Sequence, residues 1–189
     1  MRKKQTIPVA FPARTSESQI VPQARNFSWR TNVLSGVEKP RWIIVGFQTN
    51  KTQTQEQNPT VFDHLNLINA YVTLNSDKYP VFDVITSFPT NDYSILYEMF
   101  DNFKTDYYGF NSLVGGTQVN YPAFKNLFPI IVFDVRHQAE RLKSGIVDMQ
   151  LKFTFAVDVP ANTTAYTLII SDRLYKLESD GKNLLMITS

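Results

Sequence analysis

The stretch from Ile146 to Asp158 (IVDMQLKFTFAVD) restricts the fold more than any other part of the chain. Met149, Leu151, Phe153, Phe155 and Val157 alternate with Gln150, Lys152 and Thr154, so the apolar period is two. On a helix those five side chains would scatter around the circumference, whereas a half-buried antiparallel strand sends all of them into one core. Val159 to Thr164 breaks the run with Pro160 and turn formers, and Ala165 to Ser171 resumes as a β-branched and aromatic strand. Two long strands around this short connection predict a hairpin. Phe128 to Asp134 reads as a third strand, and Arg136 to Gly145 as a charged excursion before Ile146. The last third of the chain, from Leu127 to a tight turn at Ser179–Gly181, is therefore expected to be all-β.

The 189 residues suffice for one domain with a sizeable core, and 43% hydrophobic with 13% aromatic content marks a globular chain. A formal net charge of +2, with the basic residues spread along the chain apart from Arg2, Lys3 and Lys4, demands no acidic partner. Without cysteine there are no disulfides, no cysteine-zinc sites and no thiol nucleophile, which fits a reducing compartment or an assembly without covalent staples. No apolar run approaches the roughly 18 residues of a membrane span, and Met1 to Thr6 lacks the apolar core of a signal peptide. A soluble, non-secreted protein is expected. Asn26, Asn50 and Asn162 match the glycosylation pattern by coincidence of an Asn- and Thr-rich composition.

Residues 1–25 carry Pro8, Pro12 and Pro22 and predict an extended arm or edge strand. Residues 26–186 are expected to form a single β domain. Within it Asn26 to Leu34 is a strand, Ser35 to Pro40 a turn, and Arg41 to Phe47 a strand buried on both faces. Gln48 to Pro59 contains no apolar side chain and predicts a long surface loop. Ala70 to Leu74 is a strand ended by Asn75–Asp77, and Lys78 to Ile85 resumes extended structure. One short helix is predicted at about 93–103, where Tyr93, Leu96, Tyr97, Phe100 and Phe103 recur at helical spacing behind Asn91 or Asp92 as cap. Asp106 to Gln118 is an aromatic and glycine-rich loop.

No catalytic, cofactor-binding or metal-binding residue is predicted, and no cofactor. The two histidines, His64 and His137, lie far apart, and no paired-cysteine, H-E-x-x-H or calcium-loop pattern exists. Asp63 beside His64 could orient a base, but neighbours in an extended chain point to opposite faces, so a surface histidine is expected. Gly115 and Gly116 lack the Lys-Ser/Thr of a phosphate loop and read as a flexible loop tip. Lys125, Arg136, His137, Arg141 and Lys143 could form a basic face, but Asp134 and Glu140 interrupt it and no aromatic ladder accompanies it. A solvated loop is expected there, with nucleic-acid contact at most non-specific. The aromatics from Tyr93 to Phe103 are assigned to core packing.

Several segments carry a resemblance. Glu38 to Thr49 (EKPRWIIVGFQT), Phe62–Asp63, Asn69 to Asn75 (NAYVTLN) and Tyr121 to Pro129 (YPAFKNLFP) occur in one continuous order with later motifs. These are Phe133 to Lys143 (FDVRHQAERLK), Ile170 to Leu174 (ISDRL) and Ser179–Gly181. Together they resemble the double jelly-roll-like proteins, in particular major capsid proteins of adintovirus and polinton-type elements, over about residues 20–186. The resemblance implies an eight-stranded antiparallel jelly-roll sandwich with the short helix inserted, placed as the C-terminal half of a double jelly roll. It implies a structural, non-enzymatic capsid protein that self-associates into trimeric capsomers and contacts other capsid subunits. It also implies a virion location after assembly inside the host cell, the nucleus being one place for it. No catalytic residue comes with the family. The fold equally permits a jelly-roll binding module, for example for carbohydrate, with Tyr107, Tyr108 and Trp42 as candidate contacts. A cupin-type enzyme would need a histidine cluster that the chain lacks.

Overall fold

The computed structural model describes residues 5–31, 39–51, 56–109, 119–138, 147–179 and 184–188. Along them run β1 (Gln5–Ile20), β2 (Asn26–Thr31), β3 (Lys39–Thr49), β4 (Leu67–Leu74), β5 (Asp77–Tyr79), α1 (Ser94–Tyr108), α2 (Tyr121–Leu127), β6 (Ile131–Asp134), β7 (Met149–Phe155), β8 (Thr163–Ser179) and β9 (Leu184–Thr188). One sheet has the order β1-β8-β3-β6, with β9 added on β8, and the other β2-β7-β4-β5. All pairings are antiparallel, and they nest: β1 with β8, β2 with β7, β3 with β6, β4 with β5. Such nesting results when one long hairpin, with its apex at Asn75 and Ser76, rolls up so that β8 also meets β3 and β7 also meets β4. That topology is a jelly roll. The expected all-β sandwich is present, and β9 lies outside its eight strands.

Period two fixes which face of each strand is buried. Met149, Leu151, Phe153 and Phe155 of β7 face the core, as do Phe27 and Trp29 of β2 and Ala70, Val72 and Leu74 of β4. From the other sheet Ile43, Val45 and Phe47 of β3, Ile131 and Phe133 of β6, and Ala165 and Ile169 of β8 meet them. The ring of Phe153 stands between the sheets, 5.9 Å from Phe27 and 5.1 Å from Phe47. β3 is buried on both faces, as expected, because Trp42 on its far side joins Val132 and Ile170 in a second apolar cluster covered by α1 residues Phe100, Phe103 and Tyr107.

Several local expectations need correction. The segments β7 and β8 do not form a hairpin: they lie in different sheets, and the connection at 156–162 crosses from one to the other. Alternation fixes the face a strand buries, but two facing sheets bury toward one core, so it leaves the partner open. Because β7 ends at Phe155, Val157 is 50% exposed. The predicted helix starts at Ser94 and runs on to Tyr108, so Asp106, Tyr107 and Tyr108 are helical. Its N-cap is Tyr93, without a side-chain cap bond; Asn91 takes a positive φ and Asp92 bridges to Ser87 instead. A second helix, α2, was not expected. Asn120 caps it by accepting the Ala123 N–H at 2.8 Å, and Pro122 stands in its first turn. Gln48 and Thr49 belong to β3, and Gln48 is buried, donating to Pro59 O and Val61 O. β5 is only three residues long, so most of the predicted extended segment to Ile85 is loop.

Candidate functional site

The outer face of the β1-β8-β3-β6 sheet and the segment after β5 together build a surface that combines a cleft with exposed apolar side chains. Along β3, Trp42 points away from Ile43, so its ring leaves the sandwich core and meets Phe103 of α1 edge-on at 5.0 Å. Arg136, in the turn just after β6, lays its guanidinium over Trp42 at 4.3 Å from the ring centroid. The same guanidinium donates to Asp134 at 2.7 Å and to Asp106 of α1. Its hydrogen bonds to Asp134 hold the Arg136 pKa above the ordinary guanidinium value despite partial burial. One side chain thus joins β6, β3 and α1.

Next to this clamp lies a cleft of about 240 Å3, with Trp42, Val132 and Met99 on its apolar side, Pro80 and Phe82 from the segment after β5, and Asn102, Asp106 and Asp134 as polar groups. Its volume falls below the roughly 300 Å3 at which small-molecule pockets begin. It fits a side chain of a partner better than a drug-sized ligand. Phe82 continues outward into an apolar ridge: Val81 is 86% exposed, Phe82 54% and Ile85 69%. Val84 and Thr86 anchor the ridge from below, the former fully buried and the latter donating its N–H to Ile68 O.

The residues singled out in the sequence divide. Trp42, Tyr107 and Tyr108 do come together, because Phe103 bridges them: Tyr107 stacks on Phe103 at 5.1 Å, and Tyr108 stands edge-on to Tyr107 at 4.9 Å. Trp42 is nonetheless buried, its face covered by Arg136 and its edge by Phe103, so it offers a sugar no stacking plane. Asp63 and His64 diverge as expected. Asp63 accepts the Thr49 N–H at 2.7 Å and pairs with Lys51 at 3.1 Å. His64 is half-buried, not a surface residue, and its ring stacks on Phe88 at 4.3 Å. Lys125 is turned inward, donating to Phe88 O and Asn91 Oδ1, while Arg136 is bound by carboxylates, so neither supplies a free cation. His137 is exposed. Arg141, Lys143, Glu140, Gly115 and Gly116 lie outside the described residues. No group of three or more His, Cys, Asp or Glu that could hold a metal occurs among the described residues, and no helix among them is long and apolar enough to cross a membrane.

Sequence reasoning missed the ridge. Its signal was Val81, Phe82, Val84 and Ile85 in a row around one aspartate, an apolar run with no partner strand of matching length.

The topology now admits a comparison with known proteins. A family model for the double jelly roll-like domain matches residues 2–175. The chain belongs to this family. Among solved structures, this double jelly roll-like chain is similar to a chain of the Sputnik virophage resolved by cryo-EM, with 14% identity and a TM-score of 0.48 over 100% of this chain and 39% of that one. It is also similar to the mavirus major capsid protein, with 14% identity and a TM-score of 0.40 over 100% of this chain and 42% of that one. It therefore spans well under half the length of either. No curated protein matches it.

Proposed function

We propose that this chain is a capsid-type structural subunit, non-enzymatic, that acts by protein–protein contact as the C-terminal roll of a double jelly roll. Membership of the double jelly roll-like family supports the reading. The observation that carries it is the cluster of exposed Val81, Phe82 and Ile85 in one short segment whose Phe82 borders the Trp42 cleft, since exposed apolar side chains gathered beside a cleft mark an interaction site. Short strands lie on that flank: β5 and β6 end their sheets with three and four residues, so backbone pairing there is limited and side chains must do the recognising. On the opposite flank β1 ends its sheet over sixteen residues and exposes Ile7 and Phe11. Unlike flanks suit a heterologous contact, which forms a ring when its rotation closes, and a three-fold closure is the trimeric capsomer proposed here within a virion assembled inside the host cell. Light scattering tests this. The parent chain is expected to associate, its Val81→Ser, Phe82→Ser, Ile85→Ser variant to be monomeric, and a chain extended by an upstream roll to form trimers. A parent chain and an extended chain that both stay monomeric would overturn it.

A further inference from the structure

We infer that His64 is a proton-operated latch on the turn that seats the helical insertion between β5 and β6, an inference independent of any assembly role. Leu65 and Asn66 both take positive φ, 50° and 49°, a conformation glycine adopts freely and a branched residue such as leucine does not. Two hydrogen bonds hold the turn closed. The Leu67 N–H donates to His64 O at 3.0 Å, and the Asn66 N–H donates to His64 Nδ1 at 3.0 Å. A ring nitrogen that accepts a hydrogen bond carries no proton, so the closed turn requires Nδ1 to be bare. Asn66 O in turn accepts the Ala156 N–H at 2.9 Å, which ties the turn to the exit of β7.

The imidazole is also the outermost ring of a column. It lies on Phe88 at 4.3 Å and 6°, Phe88 on Tyr93 at 5.2 Å and 8°, and Tyr93 on Tyr121 at 4.1 Å and 12°. Tyr93 precedes α1 and Tyr121 opens α2, so the turn and both helices share one stack. The charges around the ring are Asp63 on its own segment and Lys125 from α2. Asp63 is already engaged by Thr49 and Lys51, and Lys125 by Phe88 O and Asn91 Oδ1. On the β7 side the charged pair is Arg25 and Asp158, both exposed and 3.6 Å apart. A proton on Nδ1 would point one N–H at another and add a cation near Lys125, while the Phe88 face offsets only part of this. Either the ring leaves or the turn opens.

Burial first, then Lys125, lowers the His64 pKa from its ordinary value of 6.5, and Asp63 opposes them. The neutral form is therefore the one the fold selects. Below about pH 6.5 the unfolded chain binds more protons than the folded one, so this contribution to stability is complete at higher pH and is lost as pH falls through 6.5 toward the lower folded-state value.

The test compares the parent with His64→Asn, whose Oδ1 can replace Nδ1 as acceptor but cannot titrate. Nitrogen NMR of the parent is expected to show a bare Nδ1 at pH 7.5 and a titration midpoint below 6.5. Between pH 7.5 and 5.5 the urea midpoint and the protection of the Asn66 amide should fall in the parent and hold in the variant. A midpoint at or above 6.5, a protonated Nδ1 at pH 7.5, or equal losses in both proteins would overturn the latch. Should His64→Asn fail to fold, the parent's ring titration decides alone.

Discussion

The Cδ1–Cε1 edge of Phe62 covers Gly46: a Cβ built on residue 46 would stand 2.5 Å from Phe62 Cδ1 and 2.7 Å from Cε1. The contact closes the segment after β3 onto the outer face of its own sheet, where Asp63 N–H donates to Phe47 O at 2.8 Å. Gly46→Ala must displace a ring that the neighbouring backbone bonds hold in place. The expected cost is about 1–3 kcal/mol, the usual range for overpacking. Urea melts of Gly46→Ala, Phe62→Leu and the double variant check it, because the double variant should recover part of the loss. An additive cycle would place the ring elsewhere.

Phe153 sits 2% exposed between the sheets, packed by Phe27 and Phe47. Phe153→Ala removes a ring that the surrounding strands cannot collapse around and should cost about 3–5 kcal/mol. That is a large share of a domain's usual stability. A variant that melts within a degree or two of the parent would contradict the packing described for β7.

Arg136 holds two carboxylates on different elements and covers Trp42. Arg136→Ala is expected to lose about 1–3 kcal/mol, the lower figures applying because Asp106 and Asp134 are partly exposed and screened. Arg136→Lys should recover little, since an ammonium cannot reproduce the planar fork over an indole. Hydrogen exchange along α1 reads the effect: amides near Asp106 should lose protection in both variants. Full rescue by lysine would show that charge alone mattered.

We expect the protein to retain no divalent metal, given two separated histidines, no cysteine and carboxylates already committed to Arg136, Lys51 and Lys78. Elemental analysis after chelation and dialysis checks this. Stoichiometric zinc or calcium would overturn it.

Much of the sandwich could be read from residues. Period two in Met149 to Phe155 and the apolar run around Ile43 gave faces and burial because those depend only on where each side chain points. Which strand pairs with which depends on the roll as a whole, so β7 and β8 looked like neighbours when they are opposite walls. The seven residues of α2 are too few for a helical period, although Asn120 and Pro122 marked its start. At the candidate site Trp42, Tyr107 and Tyr108 were visible as aromatics, but Phe103 as their link and Arg136 as their cover are tertiary facts. Val81 to Ile85 resembled a strand because apolar residues flank Asp83. Among the described residues no strand pairs with this loop beyond Tyr79, so Val81, Phe82 and Ile85 stay exposed while Val84 alone turns into the core.

The nested pairing also sets a timetable for biosynthesis. Gln5 pairs with Ser179, so β1 has no partner until β8 has been made, whereas β4 and β5 can close at once across Asn75 and Ser76. On the ribosome β2 has no partner strand before β7 and β1 none before β8, while β4 can pair first with β5 and β3 first with β6. Pairings so remote in sequence form slowly and leave strand edges open meanwhile. An interval with open strand edges is therefore written into the strand order itself.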